Sequence, residues 1–335
     1  MSVQYRTAAL ALLLLAGATV SMIVGRYPLS MADLAHYLGF WAMEGTDPRQ
    51  ADLVRTLLLE VRLPRILAAI CVGASLSVSG TAFQAMFINP LVSPGLLGVL
   101  AGASFGAAAG MILSTRWLVV QASTFAFGLL AVCIALAMAR AYRGDRLLLL
   151  VLSGVVVSAM FTALLSVIKY LADPYNQLPA ITYWLMGGFS LVTRDTMTVM
   201  TPLMILGTGI IISLSGYLNV LTMGDEEARA MGVRVTALRT VLILAATLVS
   251  SLTVVVGGII GWVGLIIPHV GRMIVGPDNR VLLPFSALLG ALYLLLVDNI
   301  SRLVFPVEIP LGILTSLLGI PVFAIALRRG RGGWN

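Results

Sequence analysis

Side chains that could carry out chemistry are scarce in this sequence and do not fall into catalytic patterns. The chain has two histidines, His36 and His269, two cysteines, Cys71 and Cys133, and one lysine, Lys169. Neither histidine belongs to an HExxH or other zinc-binding spacing, and the cysteines form no CxxC pair. Because a tyrosine follows Lys169, the chain lacks a GxxxxGK[ST] phosphate-binding loop. We therefore predict no catalytic residue, no bound metal and no ATP hydrolysis by this chain itself.

The more informative charges are those at the ends of apolar runs. Arg62 and Arg65 flank Pro64, where the second apolar run begins, and they suit either simple interface arginines or a docking surface. Asp298 and Arg302 are spaced i,i+4 near the end of another apolar run. Since charges near a membrane are costly unless they are paired, this spacing predicts an ion pair.

The composition indicates an all-α, polytopic membrane protein. Of 335 residues, 59% are hydrophobic and only 10% are charged, and the mean hydropathy is +1.02. Soluble domains contain about 25% charged residues. The net charge of +7 is attributed to topology signals and lipid headgroups rather than to nucleic acid binding.

Apolar runs of membrane-spanning length recur along the whole chain, which we treat as a single transmembrane domain over 1–335. The arginine distribution weakly favours both termini in the cytoplasm, because twelve basic residues then lie inside and nine outside. Breaks at charges, glycine and proline delimit ten predicted spans. They are 7–25, 63–85, 94–114, 117–139, 147–171, 196–215, 236–256, 258–276, 282–303 and 310–327.

Three further segments stand out by their residue types. Residues 257–276 combine many glycines with Pro268 and His269, which predicts a tightly packed helix and its turn. Asn89-Pro90-Leu91 forms an uncharged turn, suited equally to a plain loop or to a surface buried against another subunit or a pore. In Leu218 to Gly232, Gly224 separates two short helices, which suit either a docking element or a connector.

Several of these blocks together resemble the FecCD-type permeases of ATP-binding cassette (ABC) importers. The resemblance extends over nearly the whole chain and is weakest in the first span and residues 26–60. It rests on RLPRILAAICVGASLSVSG, FQAMFINPLVSPGLLGVLAGA, YWLMGGF, LNVLTMGDEEARAMGV, GGIIGWVGLIIPHVGRMIVGPDNRVLLPFSALLGA and VDNISRLVFPVEIPLGILTSLLGIPVF.

The resemblance implies a type II ABC importer permease fold and a specific set of partners. It implies a homodimer in the cytoplasmic (inner) membrane, two cytoplasmic ATPase subunits that bind ATP and Mg²⁺, and an external substrate-binding protein. By this resemblance Arg62, Arg65 and Arg302 receive the binding protein, and Asn89, Pro90 and Leu91 form a cytoplasmic gate. ATPase coupling is expected from residues within 218–232, namely Leu218, Gly224, Asp225, Glu226, Glu227, Ala228 and Gly232.

The resemblance also limits the cargo. It implies a pathway lined by the fifth and tenth spans and by a short helix near Ala180–Met186. We expect a metal chelate, with iron-siderophore or haem first, then cobalamin, then molybdate or tungstate. A secondary transporter or channel is the alternative from another class, and it would require a coupling-ion site or a charged filter.

Overall fold

The computed structural model describes residues 3–25, 27, 29, 48–304 and 306–329. These residues form α-helices and short helical turns joined by tight connections, with no β-strand among them. The fold class predicted from the composition is confirmed. The α-helices are α1 Val3–Ile23, α2 Pro48–Thr56, α3 Leu63–Phe87, α4 Val99–Leu113, α5 Trp117–Ala141, α6 Arg146–Leu171, α7 Gln177–Leu185, α8 Arg194–Ser213, α9 Ser215–Leu221, α10 Asp225–Ala230, α11 Val235–Gly257, α12 Val263–Val275, α13 Asn279–Leu303 and α14 Leu311–Arg329.

Ten of these helices correspond to the ten predicted spans. Seven helices in the described part of the chain are long and apolar enough to cross a membrane, and three shorter apolar helices lie at Val99–Leu113, Val263–Val275 and Leu311–Ala324. The second span is longer than predicted, because α2, a π-helical turn over Leu57–Arg62 and α3 run on without a break. Such a π turn alters the helical register, which rotates the side chains that follow it.

Two predicted spans begin later than the apolar pattern suggests. The span predicted over 94–114 opens with a 3₁₀ turn at Pro94–Leu97 before α4 starts. The span predicted over 258–276 is helical only from Val263, so the helix accounts for about 20 Å of the membrane thickness. Positive φ angles explain both differences: Gly98 has one directly before α4, and both Gly258 and Trp262 have one before α12.

Helix α3 lies at the centre of the bundle and packs against α8, α11, α12 and α13. Its small residues allow this closeness. A Cβ atom added to Gly73 would collide with the Gly290 carbonyl on α13, and one added to Gly80 would collide with the Gly264 carbonyl on α12. Because lipid tails are as apolar as leucine, helices in a membrane associate through such close backbone packing. Glycine in α3 and its partners therefore determines the central contacts.

Candidate functional site

A buried ion network joins α3, α13 and the segment before α14 at one end of the bundle. The Arg65 guanidinium donates to both Asp298 carboxylate oxygens, with Nε at 3.0 and 3.1 Å and Nη2 at 2.9 Å from Oδ1. It also contacts Glu308, with Nη1 at 3.1 Å and Nη2 at 3.0 Å. Arg302 Nε lies 3.2 Å from Asp298 Oδ2. The ion pair predicted from the i,i+4 spacing of Asp298 and Arg302 is confirmed.

Arg62 lies at the same end but has a different environment. Its guanidinium donates to backbone carbonyls at and beyond the end of α1, to Ile23 at 2.8 Å and also to Met22 and Tyr27. The last carbonyls of a helix have no partner within the helix, and arginine commonly satisfies them. Arg62 therefore closes the end of α1.

The three arginines predicted to receive a binding protein are brought together but are largely enclosed. Arg62 is 4% exposed, and Arg65 and Arg302 are each 8% exposed. Asp298 is fully buried, while Glu308 remains partly accessible and accepts a hydrogen bond from Ser190 at 2.7 Å. Only the rim of this cluster could therefore contact another protein. The network stabilises the end of the bundle whatever its role in docking.

Three chain segments cross at a glycine junction beside this network. The Gly188 amide donates to the Gly257 carbonyl at 2.9 Å, and the Leu311 amide donates to the Gly187 carbonyl at 2.9 Å. Gly187 and Gly258 have φ angles of +74° and +65°, which favour glycine. The junction connects the end of α7, the α11–α12 turn and the start of α14. The short helix predicted near 180–186 is observed as α7, at Gln177–Leu185.

The uncharged turn predicted to form a gate follows α3 at the opposite end of the bundle. Ile88 adopts a left-handed conformation with φ +49°, and the Asn89 side chain accepts the Leu91 amide at 2.9 Å. This Asx turn is typical of asparagine ahead of proline. Leu91 is 53% exposed, so the turn presents an apolar tip outward from the chain.

The base of this turn is tied to α12 by a polar contact inside the bundle. Gln84 accepts a hydrogen bond from Arg272 Nη2 at 2.6 Å and donates to the Leu265 carbonyl at 3.2 Å. Movement of α12 would therefore be transmitted to the end of α3. The nearby His269 is buried with its ring centroid 6.2 Å from that of Phe323. Among the described residues no group of three or more potential metal ligands is found.

The Leu218–Gly232 segment forms two short helices, α9 and α10, separated by Gly224 with φ +118°. Asp225, Glu226 and Glu227 occupy the first turn of α10, where carboxylates interact favourably with the helix dipole. Leu218 and Ala228 are buried, whereas Met223 and Met231 are about 60% exposed. The predicted division into two helices is confirmed.

Two polar clamps hold this segment against the membrane-spanning helices. Arg239 on α11 contacts Asp225 through both terminal nitrogens, at 2.6 and 2.8 Å. Asn219 on α9 donates to Asp278 at 2.6 Å and accepts the Asn279 amide at 2.8 Å at the start of α13. The Asp278 carboxylate also accepts the Arg280 backbone amide at 3.0 Å. The hydrogen bond from the Asn219 side chain, and after it the one from the Arg280 amide, lowers the pKa of Asp278. The segment is thereby connected to both α11 and α13.

In the described part of the chain, seven long apolar helices and three shorter ones indicate a multi-pass membrane protein. The FecCD transport family model matches residues 12–329, and the chain belongs to this family. It is a permease subunit of an ABC importer. The family match over most of the chain is the basis of this assignment.

Proteins similar to this chain are named for different transported molecules. The chain is 38% identical over 330 residues to the molybdate import system permease protein MolB of Haemophilus influenzae, covering 97% of this chain and 96% of that protein. It is 39% identical over 287 residues to the hemin transport system permease protein HmuU of Yersinia pestis, covering 84% and 85%. A solved ABC transporter described as being of metal-chelate type, in an inward-facing conformation, matches with TM-score 0.86 and 37% identity, covering 97% of this chain and 99% of that one.

Several residues that organise these regions were not singled out from the sequence. Glu308, Asn219 and Arg239 carried no motif of their own. Their partners lie 14 to 243 residues away along the chain. The only local signal was the presence of a polar residue at the end of an apolar run.

Proposed function

We propose that this chain forms a homodimeric pathway that imports a metal chelate, with an iron-siderophore or haem as the preferred cargo. Residues 1–335 would act as one transmembrane domain with both termini in the cytoplasm. Two cytoplasmic ATPase subunits, which bind ATP and Mg²⁺, would supply the energy, and an external binding protein would deliver the cargo.

The observation that carries the cargo class is the near-complete structural match to a metal-chelate type transporter. The accessible surface of α6 agrees with it, because the side chains exposed along this helix are predominantly apolar. They include Leu148, Leu152, Val155, Val156, Met160, Leu164 and Val167. Lys169 is the one basic residue near the far end of that helix. A neutral wall suits a bulky chelate that passes without tight binding.

A second cargo is supported by one specific comparison. The molybdate permease of Haemophilus influenzae is similar to this chain over nearly its full length. A small dianion would be bound tightly by the binding protein and only transiently by an apolar permease wall. Molybdate or tungstate is therefore the alternative cargo, and cobalamin is a third within the same family.

Coupling to the ATPase would pass through the two clamps. The exposed Met223 and Met231 give the 218–232 segment an apolar surface for a partner protein, beside the acidic side chains of Glu226 and Glu227. Displacement of this segment would move α11 through Asp225 and α13 through Asn219. Gate opening at Asn89, Pro90 and Leu91 would follow when α12 shifts the end of α3. Rigid-body movement of packed helices is a common way to switch between two states.

Docking of the binding protein is proposed at the rim of the arginine cluster formed by Arg62, Arg65 and Arg302. Complementary charge would orient the binding protein and accelerate its association. Because Arg65 also stabilises the bundle, a loss of docking after its charge reversal could not be separated from a loss of folding. Arg62→Gln is the better test, since the partners of Arg62 are neutral carbonyls and no buried carboxylate loses its counter-charge. We expect slower association of the binding protein in surface plasmon resonance, with the difference lost at high salt.

The function is tested by reconstituting the permease with its cognate ATPase in liposomes. ATP-dependent accumulation of a ferric siderophore or haemin, supplied with the cognate binding protein, is the expected result. Cobalamin, molybdate and tungstate are assayed in parallel, and an ATPase defective in hydrolysis is the control. Transport without nucleotide would refute the proposal and indicate a channel or secondary transporter. Accumulation of molybdate alone would show that molybdate, and not a metal chelate, is the cargo.

The clamp is tested by Arg239→Gln with Arg234→Gln as the matched control. Both changes remove one guanidinium charge from the start of α11, but only Arg239 contacts Asp225. We expect R239Q to lower transport per ATP hydrolysed at least about threefold, and R234Q to leave this ratio nearly unchanged. Equal ratios for the two variants would show that the Asp225–Arg239 contact does not transmit the movement.

A further inference from the structure

A cavity of about 610 Å³ opens between the α5–α6 turn, the start of α11 and the 218–232 segment. Its volume lies within the range of small-molecule binding sites. Four arginines line it and one acidic residue, Asp225, accompanies them, so the wall carries a strong positive excess. The basic residues are Arg140, Arg143, Arg229 and Arg239.

The two nearby aspartates, Asp225 and Asp145, compensate only part of this positive charge. Asp225 is bound by both terminal nitrogens of Arg239 and lies 3.5 Å from Arg229. Asp145, on the α5–α6 turn, accepts the Leu147 and Leu148 amides and caps α6. Within the described part of the chain, Arg140 and Arg143 have no acidic oxygen within 4.0 Å.

One donor in the wall also lacks an acceptor. Arg239 Nε is buried and has no hydrogen-bond partner among the described residues, although the rest of its guanidinium is engaged. A buried polar group without a partner is energetically costly. Arg239 therefore keeps one donor unused even when Asp225 is bound.

Most of the remaining wall is apolar and belongs to the ends of membrane-spanning helices. Its apolar side chains are Leu136, Ala139, Leu147, Leu150, Val235 and Ile243, and Tyr142, Thr236 and Thr240 add hydroxyl groups. Arginines beside apolar side chains match an amphiphile with an anionic head. Basic pockets between membrane-spanning helices are suited to phospholipid headgroups.

We propose that this cavity binds an anionic phospholipid, with the phosphate held by Arg140, Arg143 and Arg239 and the acyl chains against the apolar wall. Guanidinium groups bind phosphate oxygens with strong, charge-assisted hydrogen bonds. The lipid would contact the Asp225–Arg239 clamp directly. Lipid occupancy would therefore stabilise the position of the 218–232 segment.

The test measures lipid binding to the delipidated full-length permease by native mass spectrometry. Phosphatidylglycerol, phosphatidylcholine with the same acyl chains, and inorganic phosphate are titrated separately. The variant is Arg140→Gln with Arg143→Gln. The matched control, Arg234→Gln with Arg280→Gln, removes the same charge from exposed side chains at the same end of the bundle but outside the cavity. Arg140→Lys with Arg143→Lys retains the charge.

We expect phosphatidylglycerol to bind more tightly than phosphatidylcholine. R140Q/R143Q should weaken its binding by roughly ten- to thirty-fold, while R234Q/R280Q changes it by less than about twofold and R140K/R143K largely retains it. Equal losses in the two glutamine pairs, or no preference over phosphatidylcholine, would overturn the proposal. Competition by inorganic phosphate at equal concentration would indicate a free-anion site instead. Displacement of the lipid by the bound ATPase would indicate a protein-docking surface instead.

Discussion

Replacing Asp298 with asparagine tests whether the buried ion network stabilises the bundle. Asp298 is 0% exposed and contacts both Arg65 and Arg302. Removing one partner of a buried ion pair costs about 3–5 kcal/mol, because it leaves a buried charge uncompensated. Arg65 retains Glu308 at 3.0 Å, so we expect the lower end, about 3 kcal/mol.

The matched control is Glu60→Gln, which breaks the ion pair of Glu60 with Arg194. That pair has nearly the same N–O distance, 2.9 Å, but its side chains are 48% and 57% exposed. Exposed pairs contribute about 0–1 kcal/mol. Distance is therefore held constant while burial changes, so the comparison isolates the effect of desolvation.

The assay is thermal unfolding of the full-length protein in detergent. An average unfolding entropy of about 2.1 cal/mol/K per residue converts 3 kcal/mol into a Tm decrease of about 4 °C for D298N and less than about 2 °C for E60Q. Adding Arg302→Gln to D298N should recover part of the loss, because the uncompensated charge is then removed. Equal Tm decreases for D298N and E60Q would refute the reasoning.

Two further predictions concern helix contacts and pH. Gly290→Ala should destabilise the fold by about 1–3 kcal/mol, because its Cβ would collide with Ser77. In the same unfolding assay Gly209→Ala, which has open space around it, should be neutral or stabilising; a stable G290A would contradict the close crossing. Asn219→Ala should raise the pKa of Asp278. The stabilisation from that contact is present above the ordinary aspartate pKa and is lost as pH falls through the lowered value, so the wild-type advantage over N219A should shrink below about pH 4 in chemical denaturation. An unchanged difference at low pH would argue against this hydrogen bond.

The local features of the chain were predictable where sequence neighbours determine them. The ten spans follow from the length of the apolar runs, because backbone groups in a bilayer must be satisfied within a helix. The Asp298–Arg302 pair and the Gly224 break between α9 and α10 follow from short spacings. Each depends on residues only a few positions apart.

The helix starts at α4 and α12 were less predictable. Hydropathy does not distinguish an apolar helix from an apolar turn, and Pro94–Leu97 and residues 258–262 are both apolar. In the second case the irregular backbone is held by contacts with Gly187 and the start of α14. Those contacts come from segments about 50 to 70 residues away in sequence.

The roles of the arginines divide in the same way. Their presence at membrane ends was evident from the sequence, together with the choice between interface positions and docking. The burial of these arginines was not evident from the sequence, because their partners are distant in the chain. Arg65 contacts Glu308, which precedes α14, and Arg62 donates to the carbonyls that end α1. Docking at Arg62, Arg65 and Arg302 stays a prediction.

The sequence alone determined that this chain is a helical, multi-pass membrane protein of a transport family, because hydrophobic run length is a local property and the blocks that resemble the family are contiguous stretches of sequence. The tertiary structure decided which charges are compensated, which glycines are in contact and where a basic cavity forms. Those properties depend on helices that approach one another across the bundle. Their approach is set by the shape of small residues such as Gly73, Gly80 and Gly290, which no single stretch of sequence reveals.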